Sequence, residues 1–139
     1  MRYPKDHKQQ ARRKIVSVAA KEFRRKGISA LGVGDVMKGA GLTKGAFSGH
    51  FSSKEELVKE ALHEAMASSP VFYDDNQGKT LSQMIEHYLD IGHRDDTRGG
   101  CPVPSLIAEV ARHSKQTRAG FVTDIEEIPS SCFTTAACG

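Results

Sequence analysis

From Lys8 to Met66 the apolar residues return every three or four positions, and glycines or short polar runs cut the pattern into pieces. That periodicity restricts the chain to short amphipathic helices packed on one another. Ile15, Val18, Ala19 and Phe23 share one face of a first segment, about Lys8 to Lys26. Gly27 stops it, and Arg24, Arg25 and Lys26 fill the last turn, where positive charge suits the helix dipole. A second segment carries Val33, Val36, Met37 and Ala40 and ends at Gly41. A third is expected from Thr43, as its cap, to Phe51, with Phe47 and Phe51 on one side. Ser53 and Glu56 then match a capping box. The helix behind it has adjacent rows of Leu57, Ala61, Ala65 and of Val58, Leu62, Met66.

Helical spacing continues downstream. A Ser, Pro, Asp, Asn and Gly-rich connection from Ser68 to Lys79 precedes a fifth segment carrying Leu81, Met84, Ile85, Tyr88 and Leu89. Arg94 to Pro104 reads as a loop, Val103 to Ala111 as a sixth helix and Lys115 to Ile128 as a seventh. No period-two alternation is sustained, so the class is all-α. Val58, Leu62, Met84, Tyr88, Leu106 and Phe121 are the expected core or pocket wall of the later helices.

Charge divides the chain in two. Residues 1–69 hold fourteen Lys and Arg against seven Asp and Glu, a net +7, whereas residues 70–139 hold six against ten, a net −4. A basic first half suits a polyanionic partner or, equally, a solvated charged face. Three late cysteines (Cys101, Cys132, Cys138) make no disulfide framework and suit a reducing, cytoplasmic setting. There is no apolar run for a membrane span and no secretory leader pattern.

Function concentrates between Val33 and Phe51. Two short helices flank Ala40-Gly41-Leu42, and Gly41 can take the positive φ that a sharp turn needs. If Phe47 and Phe51 face inward, then Lys44, Gly45, Ser48 and Gly49 face outward as a small, polar, basic surface. A helix with so little bulk can approach a groove floor while Lys44 meets phosphate. The spacing alone also fits an ordinary helical hairpin.

The run Gly41-Leu42-Thr43-Lys44-Gly45-Ala46-Phe47-Ser48-Gly49-His50-Phe51-Ser52-Ser53-Lys54-Glu55-Glu56-Leu57 resembles the signature of TetR-family transcriptional regulators. Ile15, Ala19, Phe23 and Gly27 match that family's first helix and Asp35-Val36-Met37 its second, so the resemblance covers roughly residues 5 to 66. It implies a helix-turn-helix DNA-binding head at 1–52 and a helical effector-binding and dimerisation body, here partial, at 53–128. Residues 129–139 read as an irregular tail where the family has two bundle helices. The implied DNA-binding residues are Thr43, Lys44, Gly45, Ala46, Ser48, Gly49, His50 and Lys54, the last on the DNA backbone. Position 48 is usually aromatic in the family, and Ser48 gives up its reach. Gly99-Gly100-Cys101-Pro102 and Ser105 to Phe121 look, more loosely, like the body of one branch.

The reading implied is a ligand-responsive repressor that binds a pseudo-palindromic operator in double-stranded DNA as a homodimer, weakened if the bundle helices are missing. It needs no cofactor or metal. The effector is unspecified. Two alternatives remain: a helical interaction module that does not bind DNA, and a thiol-based sensor acting through Cys101. The six histidines lack metal-ligand spacing, and no nucleotide loop or paired-carboxylate site occurs, so nothing points to an enzyme.

Overall fold

The computed structural model describes residues 5–69 and 79–128, and every regular element among them is helical. Helix α1 (Lys5–Lys26) starts three residues before the first expected position and places Ile15, Val16, Ala19, Ala20 and Phe23 in the core. Gly27 ends it at φ 91°, a left-handed conformation that only glycine enters without strain. Helix α2 (Val33–Gly39) buries Val36 and Met37 against α1. Helix α3 (Lys54–Ala67) buries Leu57, Val58, Ala61, Leu62, Ala65 and Met66, both expected rows. It makes the most extensive helix contact of the fold, along α1.

Beyond α3 lie α4 (Leu81–Leu89), α5 (Ile91–Asp95), α6 (Pro102–Val110) and α7 (Lys115–Glu126). The loop expected from Arg94 is partly a correction, since α5 occupies its start. Asp90 caps α5 by accepting from Gly92 N at 2.8 Å, and five residues are too few to show a period. Pro102 opens α6, where its missing N–H costs nothing. The interior of the connection after Ser69 and the 129–139 tail, with Cys132 and Cys138, lie outside the described residues.

One core runs through both halves. Leu106, Val110 and Phe121 join the cluster built by α1, α2 and α3, so the 52/53 boundary crosses no gap in packing. Polar joints reinforce it. Glu109 on α6 accepts from Ile28 N (3.1 Å), Ser29 N (2.9 Å) and Ser29 Oγ (2.7 Å), its carboxylate lying where a side chain on Gly27 would stand. Arg98 reaches Glu22 at 3.0 Å, and His63 on α3 reaches Asp124 on α7 at 2.7 Å.

Glu55 in the first turn of α3 accepts from Ser114 Oγ at 2.6 Å and from Thr117 Oγ1, with His113 Nδ1 3.1 Å away. These hydroxyl bonds hold its carboxyl down at about 2, well below its ordinary 4.5. A depressed carboxylate contributes stability above its unfolded pKa and loses it as pH falls toward the folded value. Glu55→Gln is therefore expected to lower the melting temperature by roughly a few degrees near neutrality, the gap closing between about pH 5 and pH 2. Thermal melts across that range, followed by circular dichroism, check it; a constant offset at every pH contradicts it.

Candidate DNA-contacting face

The segment after Gly41 is shorter and tighter than expected. Instead of an α-helix from Thr43 to Phe51, the chain forms a 3₁₀ helix over Lys44–Gly49. Two glycines and a serine in six residues are poor α-formers, each glycine costing about 1 kcal/mol relative to alanine. Three-residue closure, Ala46 N to Thr43 O at 3.1 Å and His50 N to Phe47 O at 2.9 Å, takes over. Thr43 occupies the cap position with extended backbone, but its hydroxyl caps nothing, a second correction.

The turn before it is fixed by backbone. Gly41 sits at φ 74°, and Leu42 N donates to Met37 O at 2.9 Å. Leu42, half-buried, packs against the core as expected of an apolar turn residue. Phe51 is buried, Phe47 is half-buried, and their rings stack at 5.5 Å between centroids. The inward aromatics leave Thr43, Lys44, Gly45, Ser48 and Gly49 exposed. Ala46 is half-buried against the core and offers only part of its surface. Open space surrounds Gly45 and Gly49, so their lack of side chains serves no internal packing. Gly34, inside α2, lies beside the aliphatic stem of Lys44. Lys14, exposed on α1, brings its ammonium beside Gly41.

Two residues expected at the interface are turned toward the protein. Lys54, expected on the DNA backbone, turns its ammonium inward to the carbonyls of Ile28 (2.9 Å) and Leu31 (2.7 Å). His50 is half-buried with Nδ1 enclosed and unpartnered, and burial, with Lys8 and Arg12 nearby, lowers its pKa. A lowered pKa disfavours the charged ring that would pair with phosphate.

Arg12 was missed. It reads as one more base on a basic helix, yet its guanidinium lies 4.1 Å from the centroid of the Phe51 ring. It donates to His50 O, to Glu56 (3.0 Å) and to Glu60. It stands three residues before Ile15, on the buried stripe of α1, and that spacing was the available signal. The capping box is half realised: Ser53 Oγ accepts from Glu56 N at 3.2 Å. The Glu56 carboxylate serves Ser52 N (2.7 Å) and Ser52 Oγ (2.6 Å) instead, which hold its carboxyl at about 2.

Residues 15–61 match the family model described as bacterial regulatory proteins, tetR family. Residues 15–61 are thus similar to the N-terminal domain of that family. The chain is 37% identical over 59 residues to the HTH-type transcriptional regulator AcrR of Shigella flexneri, covering 42% of this chain and 27% of that protein. It is 34% identical over 67 residues to the regulator TtgR of Pseudomonas putida (46% and 32%). It is 41% identical over 51 residues to the repressor KstR2 of Mycobacterium tuberculosis (37% and 26%). The matched segments thus span about a quarter to a third of these curated relatives. A crystal structure of reduced E. coli NemR shares the fold over 92% of this chain and 72% of that one, with TM-score 0.64 and 18% identity. The matched segment and the helices behind it therefore follow the same all-α arrangement as that structure.

Cys101, the alternative centre, is a packing residue here. It is 7% exposed, and burial pushes its thiol pKa up. A sensor thiol needs exposure and a lowered pKa, so neither observation supports the thiol-based reading. Among the described residues no three His, Cys, Asp or Glu side chains could hold a metal ion, and no helix is long and apolar enough to cross a membrane.

Proposed function

We propose that this chain is a DNA-binding transcriptional regulator whose 3₁₀ segment enters the major groove of an operator. The observation that carries the reading is the outward face of that segment. Thr43, Lys44, Gly45, Ser48 and Gly49 are exposed together, while Phe47 and Phe51 anchor the opposite side. Glycines with open space around them let the backbone approach base edges, and Lys44 supplies the charge that phosphate or a guanine edge requires. Ala46 and His50 flank this face, and Lys54 supports it from behind by holding the 28–31 turn. The relatives named as transcriptional regulators support the same reading.

The finer proposal is a ligand-responsive repressor binding as a homodimer to a pseudo-palindromic site. Exposed Ile85, Ile91, Ile107 and Val122 on the helices beyond α3 support association with a second copy. The head at 1–52 would read DNA, and the helices from 53 to 128 would carry pairing and effector response. An effector acts only through differential affinity for DNA-competent and DNA-incompetent states.

Mobility shift against the chain's own promoter, titrated with salt, tests DNA binding. Selective binding that weakens steeply with salt is expected. Lys44→Ala is expected to cost about tenfold or more on the specific site and to reduce the salt slope by about one. Lys54→Met is expected to lower the melting temperature and leave that slope unchanged. Equal losses on specific and random DNA for Lys44→Ala would remove this lysine from sequence readout. Absence of any shift at low salt refutes the regulator and favours the interaction module.

A further inference from the structure

A cavity of about 550 Å³ opens where the end of α1 meets α4, α5 and the start of α6. That size suits a small organic ligand. Its walls include Tyr88, Leu89, Cys101 and Pro104, a largely apolar lining, together with Arg24.

Arg24 is the anomaly. It is 9% exposed, so nine-tenths buried, yet among the described residues no carboxylate lies within ion-pair distance of it. Nε donates to Ala20 O at 3.0 Å and Nη1 to Gly100 O at 3.2 Å, both neutral acceptors, and Nη2 has no partner among the described residues. Asp96 and Glu64 act on it only through space. The Asp96 carboxylate is spent on Gly99 N (2.8 Å) and Arg98 N (3.3 Å). The other charged groups lining the cavity do not answer Arg24. Arg25 pairs with Glu22 and Arg94 with Asp95, and both ring nitrogens of His93 are taken by Tyr88 O and Cys101 N. A buried guanidinium without an anion is costly, because hydrogen bonds to carbonyls restore only part of its lost hydration.

We propose that this cavity binds a small amphipathic carboxylate, its anionic head on Arg24 and its apolar body along Tyr88, Leu89 and Pro104. Binding would place an ion pair where the start of α6 meets the end of α1. The site itself does not depend on the DNA-binding reading; only its use as an effector site rests on that reading.

The test uses octanoate, octanol and octylamine, equal in apolar length and different in charge, with full-length protein and no DNA. Leu89 is 71% exposed at the rim, so Leu89→Trp supplies a fluorescent reporter in a chain that has no tryptophan. Octanoate is expected to shift the reporter's emission, to raise the melting temperature, and to bind at least tenfold tighter than octanol or octylamine. Arg24→Met should abolish that preference and Arg24→Lys should keep part of it, in variants whose helical content matches the parent. If Arg24→Met fails to fold, the ligand series on the reporter alone decides the question. Octanol binding as tightly as octanoate, or octanoate leaving the reporter unchanged, overturns the proposal. A final arm adds octanoate to the mobility shift: release of DNA makes the site an effector site, and unchanged DNA binding overturns that use while leaving the site.

Discussion

Phe23→Ala is expected to cost about 3–5 kcal/mol of stability, the range for removing a buried aromatic ring. Phe23 is 1% exposed in the cluster that Ile15, Met37, Leu57 and Leu62 share. It lies on the last turns of α1, a helix that packs against α2, α3 and α6. Its loss opens a cavity that cannot collapse, because helices are packed on both sides. A domain of this size holds about 5–15 kcal/mol in total, so one substitution would remove a large share of it. Chemical denaturation should show a midpoint shifted strongly downward with the slope preserved. Leu89→Ala is the control: at 71% exposed it should stay within about 0.5 kcal/mol of the parent. A Phe23→Ala variant as stable as Leu89→Ala would overturn the placement of Phe23 in the core.

The core was legible because burial imposes a period. Ile15, Ala19 and Phe23, or the two rows of α3, repeat at three and four residues because only that spacing keeps one face out of water. The turn at Gly41 was legible for a different reason, as its φ of 74° leaves glycine little competition. The 3₁₀ form of Lys44–Gly49 was not, since an apolar pair four residues apart fits one α-turn as well as a tighter helix anchored by Phe51. Cross-chain polar contacts were hidden altogether. Lys54 looks like a surface base until the carbonyls of Ile28 and Leu31 are seen beside it. Glu109 and Ser29 lie eighty residues apart, and nothing in their local sequence announces a bond. Helical periodicity places a residue on a face; it does not say whether a charged tip on that face finds water or a partner.

Arg12 carries the second large effect, and its expected signature separates positioning from contact. Arg12→Ala removes the donor to His50 O, the cation over the Phe51 ring and the partner of Glu56 and Glu60. The 3₁₀ segment would keep its own sequence and its exposed face but lose the tie that fixes its carboxyl end to α1 and α3. If base readout depends on that placement, operator affinity should fall by about ten- to a hundredfold, the equivalent of one or two misplaced base contacts. Non-specific binding and its salt slope should barely move, because the guanidinium faces protein rather than phosphate. Arg12→Lys should rescue little, since one ammonium cannot serve a carbonyl, two carboxylates and a ring face at once. Lys44→Ala, by contrast, should reduce the slope. Paired titrations of both variants on operator and random DNA, at several salt concentrations, distinguish the two roles. An Arg12→Ala variant that loses one unit of slope and equal affinity on all DNA would place its guanidinium on the phosphate backbone and overturn the positioning role.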